Sequence, residues 1–166
     1  MKLSVLVITA REKAGFEDLV RSLQRNAPAL AKYGCGLELV YVDRQWEMRE
    51  GLYTKAMEQI EEIDFIYIRD EPTAEGPCPG GARNAGIEAS TGDWIVSIDD
   101  LTVFYEDSLL RHLNYFKQGF DACVGTFDVI LDDGTVVDGP IADSRLSDSR
   151  RSDGQWAANH FYGMHM

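Results

Sequence analysis

Apolar segments rich in β-branched residues alternate along this chain with segments of helical periodicity. The segments that predict buried strands cover residues 3–10, 37–42, 65–69 and 94–98. Those that predict helices cover residues 16–32, 46–63, 82–89 and 108–117. Strands and helices that alternate through short connections favour right-handed βαβ units. The pattern therefore predicts an α/β domain with a mostly parallel central sheet, whose strands end near Ala10, Asp43, Arg69 and Asp99.

Three local features depart from this regular alternation. Pro28 lacks the amide proton that a helix interior needs, so we expect it to interrupt or restart the first helix. Residues 69–81 contain three prolines and three glycines, which favours a loop over the mouth of a cleft and argues against a helix. Residues 122–131 and 135–137 flank Asp132-Asp133-Gly134, an Asp-Gly turn that predicts a β-hairpin. The turn is sufficient to explain this carboxylate pair, so we expect no metal site there.

Composition narrows the class of protein. A chain of 166 residues that is 45% hydrophobic suffices for one domain with a core. The formal charge of −12 argues against nucleic-acid binding, which needs phosphate-neutralising lysines and arginines. No apolar stretch approaches the ~20 residues of a membrane span, and the N-terminal segment predicts a core strand and not a signal peptide. Three scattered cysteines predict neither a zinc site nor a disulfide framework and favour a cytoplasmic location.

Two adjacent carboxylates, Asp99 and Asp100, directly follow the fourth apolar segment. Ligands of open α/β sheets bind at the carboxyl ends of such strands. Two neighbouring anions need a cation or hydrogen-bond donors to share their charge, and a hard divalent ion that also binds substrate phosphates can do so. A helix cap or a polar turn is the alternative role. The pair predicts a metal–diphosphate site when neighbouring motifs support it.

A supporting motif lies just upstream. Small residues between 80 and 92 suit a tightly packed helix with Gly92 as its stop signal, and Arg83 and Asn84 lie in its first turn. Three runs then follow one another in order: Ala82-Arg83-Asn84-Ala85-Gly86, Thr91-Gly92-Asp93-Trp94-Ile95 and Ser97-Ile98-Asp99-Asp100-Leu101. Together they resemble the nucleotide-sugar-dependent glycosyltransferases of family 2.

The resemblance implies a GT-A fold, a Rossmann-like three-layer sandwich, here with a C-terminal hairpin. It also implies an inverting, metal-assisted transfer of a sugar from a nucleoside diphosphate sugar to an acceptor hydroxyl. A UDP-sugar is favoured, because a carboxylate at position 43 can accept the imide N–H of uracil, although an ordinary turn residue is the alternative role for Asp43. The implied nucleotide-sugar site comprises Thr9, Ala10, Arg11, Asp43, Arg83, Asn84 and Asp99.

The implied metal is Mn²⁺ or Mg²⁺, bound by Asp100 with Asp99 as a second contact. Leu101 stands where many relatives have a third acidic residue. If the alignment shifts by one residue, the metal assignment weakens and nucleotide binding becomes less dependent on metal.

The last part of the chain differs from the rest. We expect residues 1–139 to form the nucleotide-sugar-binding domain, and residues 140–166 to form a mobile loop and the start of a truncated acceptor-side region. His160 and His165 in the aromatic tail are candidates to complete a metal site or simply to pack. The catalytic base and the acceptor are unknown. Two alternatives stay open: a non-catalytic nucleotide-binding or interaction module, and a nucleotidyltransferase, for which residues 10–15 are a poor version of the basic, Gly-rich loop required.

Overall fold

Strands and helices alternate along the chain as its periodicity predicts. The computed structural model describes residues 1–70, 78–123, 128–130 and 133–137. Its elements are β1 (Lys2–Thr9), α1 (Phe16–Lys32), β2 (Gly36–Asp43), α2 (Trp46–Gln59), β3 (Asp64–Arg69), α3 (Pro79–Ala89), β4 (Trp94–Ile98), α4 (Ser108–Lys117), β5 (Val129–Ile130) and β6 (Val136–Val137). Among the helices in these ranges, none has the length and apolar character needed to cross a membrane.

Four strands form a parallel sheet in the order β3-β2-β1-β4. The chain moves from β1 through β2 to β3 in one direction and then places β4 on the other side of β1. Strand order therefore reverses between β1 and β4, and in open α/β sheets such a switch point is where ligands bind. Thr9 pairs with Asp43, and Asp43 pairs with Arg69, so these strand ends lie at one edge, as predicted.

Both faces of the sheet are covered by helices, because its strands are apolar on both sides. On β1, Val5 and Val7 belong to a large core that includes residues of α1, α2 and α4. Leu6 points to the opposite face, where it packs in a smaller core with Ala82 of α3. Full burial of a Leu or Val side chain contributes about 1.5–3 kcal/mol relative to exposure. The result is a helix–sheet–helix sandwich.

Helix α1 is continuous, and the expectation that Pro28 interrupts or restarts it is wrong. Pro28 lies on the exposed side of the helix. Gln24, whose carbonyl loses its amide partner to the proline ring, is exposed as well, so hydration can lower the cost of the missing hydrogen bond. The opposite side of α1 buries Leu19 and Leu23, and this packing holds the helix together.

Helix α3 begins earlier than the sequence pattern predicts. Residues 79–81, which we expected to belong to a loop, form its first turn. Proline suits the first helical position, because that residue's amide has no partner in the helix and its fixed φ is already helical. Gly81 donates its amide to the Cys78 sulfur, which caps the helix. Arg83 and Asn84 consequently lie beyond the first turn.

The predicted hairpin is present as the antiparallel pair β5 and β6. Gly134 has a φ of +82°, a conformation that glycine adopts at little cost, and the Thr135 amide donates to Asp133. Other expectations lie outside the described residues. They concern residues 71–77 of the predicted loop, Asp132, and the segment 140–166 with His160 and His165.

Candidate functional site

The switch point of the sheet brings together the ends of β1 and β4. Thr9 Oγ1 donates to Asp100 Oδ2 over 2.5 Å, although 91 residues separate them in the chain. Arg11 Nε donates to the other oxygen of Asp100 over 3.0 Å. The Gly15 amide donates to the Asp100 carbonyl, which attaches the β1–α1 connection to the end of β4. Three predicted site residues, Thr9, Arg11 and Asp100, therefore form one hydrogen-bonded group.

A buried ion pair supports this group from behind. Asp43, at the end of β2, has no exposed surface, and Arg49 of α2 is 5% exposed. Arg49 donates from Nε to Asp43 Oδ2 and from Nη2 to Asp43 Oδ1, each over 2.8 Å. The fork geometry of guanidinium suits a carboxylate and makes such pairs strong and directional. Burial of this pair is tolerated because Asp43 accepts four hydrogen bonds and Arg49 donates four.

Arg49 also holds the connection that carries Arg11. Its Nη2 donates to the Arg11 carbonyl over 2.7 Å, and its Nη1 donates to the Glu12 carbonyl over 2.9 Å. The hydrogen bonds to Asp43 raise the pKa of Arg49, which therefore stays charged. The Asp43–Arg49 pair thus fixes the backbone that follows β1. Nothing in the sequence pattern singles out Arg49, because its partners on this connection lie 37 and 38 residues away.

Asp43 has no acceptor position left for a ligand in this arrangement. Oδ1 accepts from the Gln45 amide as well as from Arg49, and Oδ2 accepts from the Tyr53 hydroxyl as well as from Arg49. A carboxylate has about four lone-pair sites, and all are in use. Burial and the hydrogen bond to Asp43 raise the pKa of Tyr53, which keeps its hydroxyl a donor. The predicted contact between Asp43 and the nucleotide's uracil base stays a prediction. The geometry favours a role for Asp43 in positioning Arg49.

The remaining predicted residues are exposed. Asp99, Arg83, Asn84 and Ala10 lie at the surface, and Arg83 and Asn84 make no side-chain hydrogen bond or ion pair to another described residue. An exposed guanidinium on α3 and an exposed carboxylate after β4 are available to a ligand. The structure thus divides the predicted set into an interlocked group around Asp100 and a group of open side chains.

Asp99 and Asp100 fit a hard divalent cation that is also bound by the phosphates of a substrate. No group of three or more His, Cys, Asp or Glu side chains able to hold a metal occurs among the described residues. Mg²⁺ and similar hard cations are commonly held by one or two carboxylates together with the phosphates of a substrate. Two carboxylates therefore suit a cation that arrives with a diphosphate. Without a diphosphate, the cation would have only these two carboxylates as protein ligands and would bind more weakly.

A groove lies between α1 and α2, close to the same connection. It has a volume of about 310 Å³, and its lining includes Gly15, Phe16, Met48 and Leu52. The carboxylates of the switch point do not line it, so this groove is separate from the group around Asp100.

Comparison with known protein families assigns the chain to one of them. The model of the family described as "Glycosyl transferase family 2" matches residues 4–163, which is nearly the whole chain. A comparison with curated proteins gave no significant match. The family match agrees with the resemblance that the runs around Arg83 and Asp99 indicate.

Solved structures with a similar fold include three of TarS from S. aureus. TarS 1–349 matches with a TM-score of 0.56 and 20% identity, covering 71% of this chain and 33% of that one. TarS 1–349 in complex with UDP has a TM-score of 0.55 and 21% identity, with 71% and 32% covered. A longer TarS chain has a TM-score of 0.53 and 20% identity, with 71% and 20% covered. The chain thus spans a third or less of the TarS chains, and the likeness confirms the predicted GT-A fold.

Proposed function

The chain belongs to glycosyl transferase family 2, and from that premise we propose that it binds a nucleoside diphosphate sugar at the β1–β4 switch point. The reaction we propose is inverting transfer of the sugar to an acceptor hydroxyl, assisted by Mn²⁺ or Mg²⁺. The hydrogen bond between Thr9 and Asp100 carries the proposal. It joins two strand ends where an open α/β sheet binds ligands. Asp100 belongs to the motifs that resemble the family, and Thr9 belongs to the nucleotide-sugar site that the resemblance implies.

UDP is the nucleotide we favour. One TarS structure with a similar fold is a complex with UDP, and this supports the same nucleotide class here. The chain carries a large negative charge, so a diphosphate needs local positive charge. Arg11 and Arg83 would supply it. Exposed negative charges elsewhere on the domain are screened by salt over about 8–10 Å, so they oppose the binding of a diphosphate only weakly.

The residues of the site would then divide the work. Thr9, Ala10 and Arg11 would line the nucleotide from the end of β1, while Arg83 and Asn84 would approach it from α3. Asp43 would act through Arg49, which fixes the carbonyls of Arg11 and Glu12. A rigid backbone at this connection lowers the ordering cost of binding.

Asp100 and Asp99 are the residues we propose for the cation. When bound, a divalent cation would neutralise charge that develops on the departing diphosphate. Arg83 would add a second positive charge near the same oxygens, and fixed charges of this kind stabilise a transition state without reorganisation.

Calorimetry with a panel of nucleoside diphosphates, with and without Mn²⁺, tests the proposal. We expect UDP to bind best and Mn²⁺ to tighten its binding. Asp100→Asn should remove most of the metal effect, because an amide keeps the shape of the carboxylate but loses the charge that attracts a hard cation. Asp133→Asn is the matched control, since Asp133 lies in the exposed hairpin turn.

The outcomes separate the alternatives. Equal effects of the two substitutions would show that the choice of site is wrong. Binding of UDP without transfer of a sugar to any acceptor would favour a non-catalytic nucleotide-binding module. Preference for a nucleoside triphosphate over a diphosphate sugar would favour a nucleotidyltransferase.

A further inference from the structure

The Asp100 carboxylate already has two side-chain partners in the structure, both from the segment that follows or ends β1. Its side chain is only 7% exposed, and both of its oxygens are engaged, one by the Thr9 hydroxyl and one by the Arg11 guanidinium. Each Asp100 oxygen has a second lone pair, but the Arg11 guanidinium, 3.0 Å from Oδ1, repels a divalent cation and competes with it for that oxygen. The cation that we propose for Asp100 should therefore bind more tightly once Arg11 has moved.

Arg11 has an anchored backbone and a largely exposed side chain. Its amide donates to Thr9 Oγ1 over 3.2 Å, and its carbonyl accepts from Arg49 over 2.7 Å. Its side chain is 62% exposed, and its one ion pair among the described residues is with Asp100. A side chain on an anchored backbone can exchange one partner for another without any rearrangement of the fold.

A diphosphate is a stronger partner for Arg11 than Asp100 is. Guanidinium binds phosphate oxygens with two parallel hydrogen bonds, whereas its contact with Asp100 uses Nε alone. Asp99, next in the chain, is exposed. Movement of Arg11 to a diphosphate would leave two adjacent carboxylates without a countercharge, and a cation that bridges to the same diphosphate would restore it.

We infer that Arg11 makes cation binding conditional on the nucleotide: it holds Asp100 when no nucleotide is bound and releases it to a cation when a diphosphate arrives. This inference rests on the proposed function, since it assumes that a nucleoside diphosphate binds at this edge. In thermodynamic terms Arg11 adds to the coupling between the two ligands, and coupling of this kind is reciprocal.

Binding of Mn²⁺ alone, followed by the electron paramagnetic resonance of the free ion, tests the inference directly. Arg11→Gln should bind Mn²⁺ about tenfold more tightly than the unmodified chain at the Asp100 site, a gain equivalent to about 1.4 kcal/mol. Arg11→Lys should lie closer to the unmodified chain, because it keeps the positive charge. UDP should then tighten Mn²⁺ binding by a smaller factor in Arg11→Gln than in the unmodified chain.

Two matched variants separate a local effect at Asp100 from a general change in charge. Arg21→Gln removes an exposed guanidinium that pairs with Asp18, and so lowers the net charge equally without affecting the site. It should leave Mn²⁺ affinity within about twofold of the unmodified chain, which is the size expected for a distant exposed charge. The double variant Arg11→Gln/Asp100→Asn should lose the tighter site, because its carboxylate is gone.

The results overturn the inference in three cases. They do so if Arg11→Gln binds Mn²⁺ no more tightly than the unmodified chain, if Arg21→Gln gains as much, or if the double variant keeps the gain. Failure of the proposed function looks different, because UDP would then bind neither the unmodified chain nor the variants. A chain that binds UDP with Mn²⁺ but shows no effect of Arg11→Gln keeps the proposed function and loses the inference.

Discussion

Arg49 and Asp43 form a buried, two-point ion pair that connects α2 to the end of β2 and, through two further hydrogen bonds, to the backbone of Arg11 and Glu12. The pair lies directly behind the strand ends where we propose that a nucleotide binds. Its effect on stability and its effect on binding can be measured separately.

Removal of Arg49 should strongly destabilise the domain. Arg49→Met leaves the Asp43 carboxylate buried without a countercharge, and loss of one partner of a buried pair costs about 3–5 kcal/mol. Urea unfolding measures this difference. Arg21→Met is the control, because the Arg21–Asp18 pair is exposed on both sides, and its effect should be below about 1 kcal/mol. Similar losses in the two variants would contradict the structural role of the Asp43–Arg49 pair.

The role of Asp43 in nucleotide recognition is a second prediction. If Asp43 acts by fixing Arg49, Asp43→Asn should weaken the binding of UDP and of ADP by similar factors, so their affinity ratio stays constant. Calorimetry with both nucleotides measures the ratio. A direct contact with uracil would instead lower the affinity for UDP selectively, by about tenfold or more for a lost charge-assisted hydrogen bond. That selective loss would restore the direct contact that the sequence resemblance implies.

Glu38 should make the free energy of unfolding depend on pH. It lies near the start of β2, at the opposite end of the strands from the proposed site. Its side chain is buried, and burial alone would raise its pKa. Hydrogen bonds from Ser4 and Thr91 outweigh burial, so the pKa of Glu38 lies below its usual value of 4.5. A lowered pKa in the folded state adds stability above the unfolded value, and this stability is lost as pH falls through the folded pKa.

The corresponding experiment compares urea unfolding at about pH 7 and about pH 4. Glu38→Gln should be less stable than the unmodified chain at neutral pH, by about 1–3 kcal/mol, because a charged hydrogen-bond acceptor is lost. It should also lose less stability on acidification. Glu58→Gln changes an exposed residue of α2 and should leave the pH dependence unaltered. A Glu38→Gln variant as sensitive to acid as the unmodified chain would contradict this account.

Two glycines should respond to alanine in opposite directions. A Cβ atom at Gly92 would lie within 3.0 Å of backbone atoms of Lys2 and Ser4, and the backbone of β1 cannot move aside cheaply. Gly92→Ala should therefore destabilise the domain, by about 1–3 kcal/mol as in other overpacked sites. Gly51 lies within α2 with nothing within 4 Å of its Cβ position. Gly51→Ala should stabilise by about 0.5–1 kcal/mol, and thermal unfolding of both variants checks the two signs.

Most of the fold follows from the alternation of apolar and helical segments. Strand ends, helix order and the parallel sheet are predictable because buried strands and amphipathic helices have distinct periods. Two features of the helices are not predictable in this way. Whether α1 tolerates Pro28 depends on which side of the helix faces water, and the role of residues 79–81 depends on where α3 starts. Gly92 is similar: we expected a stop signal, but α3 ends at Ala89 and Gly92 is small because β1 passes close to it.

The candidate site was predictable only in part. The motif run that contains Asp99 predicts Asp100, the family resemblance implies Thr9 and Arg11, and the structure joins all three. The sequence pattern does not indicate Arg49 or Tyr53, because their hydrogen-bond partners lie on β2 and on the connection after β1, and the periodicity of α2 does not reveal those contacts. The occupied state of Asp43 was missed for the same reason. Contacts made between elements depend on tertiary packing, which local sequence does not encode.

Amide NMR with UDP and Mg²⁺ tests most directly whether a nucleoside diphosphate binds where β1 and β4 end. We predict saturable shifts at Thr9, Arg11, Asp99 and Asp100, with much smaller changes at Thr135 in the hairpin. Shifts confined to Met48 and Leu52, which line the groove between α1 and α2, would place the ligand elsewhere and contradict the claim. So would unchanged spectra at millimolar UDP.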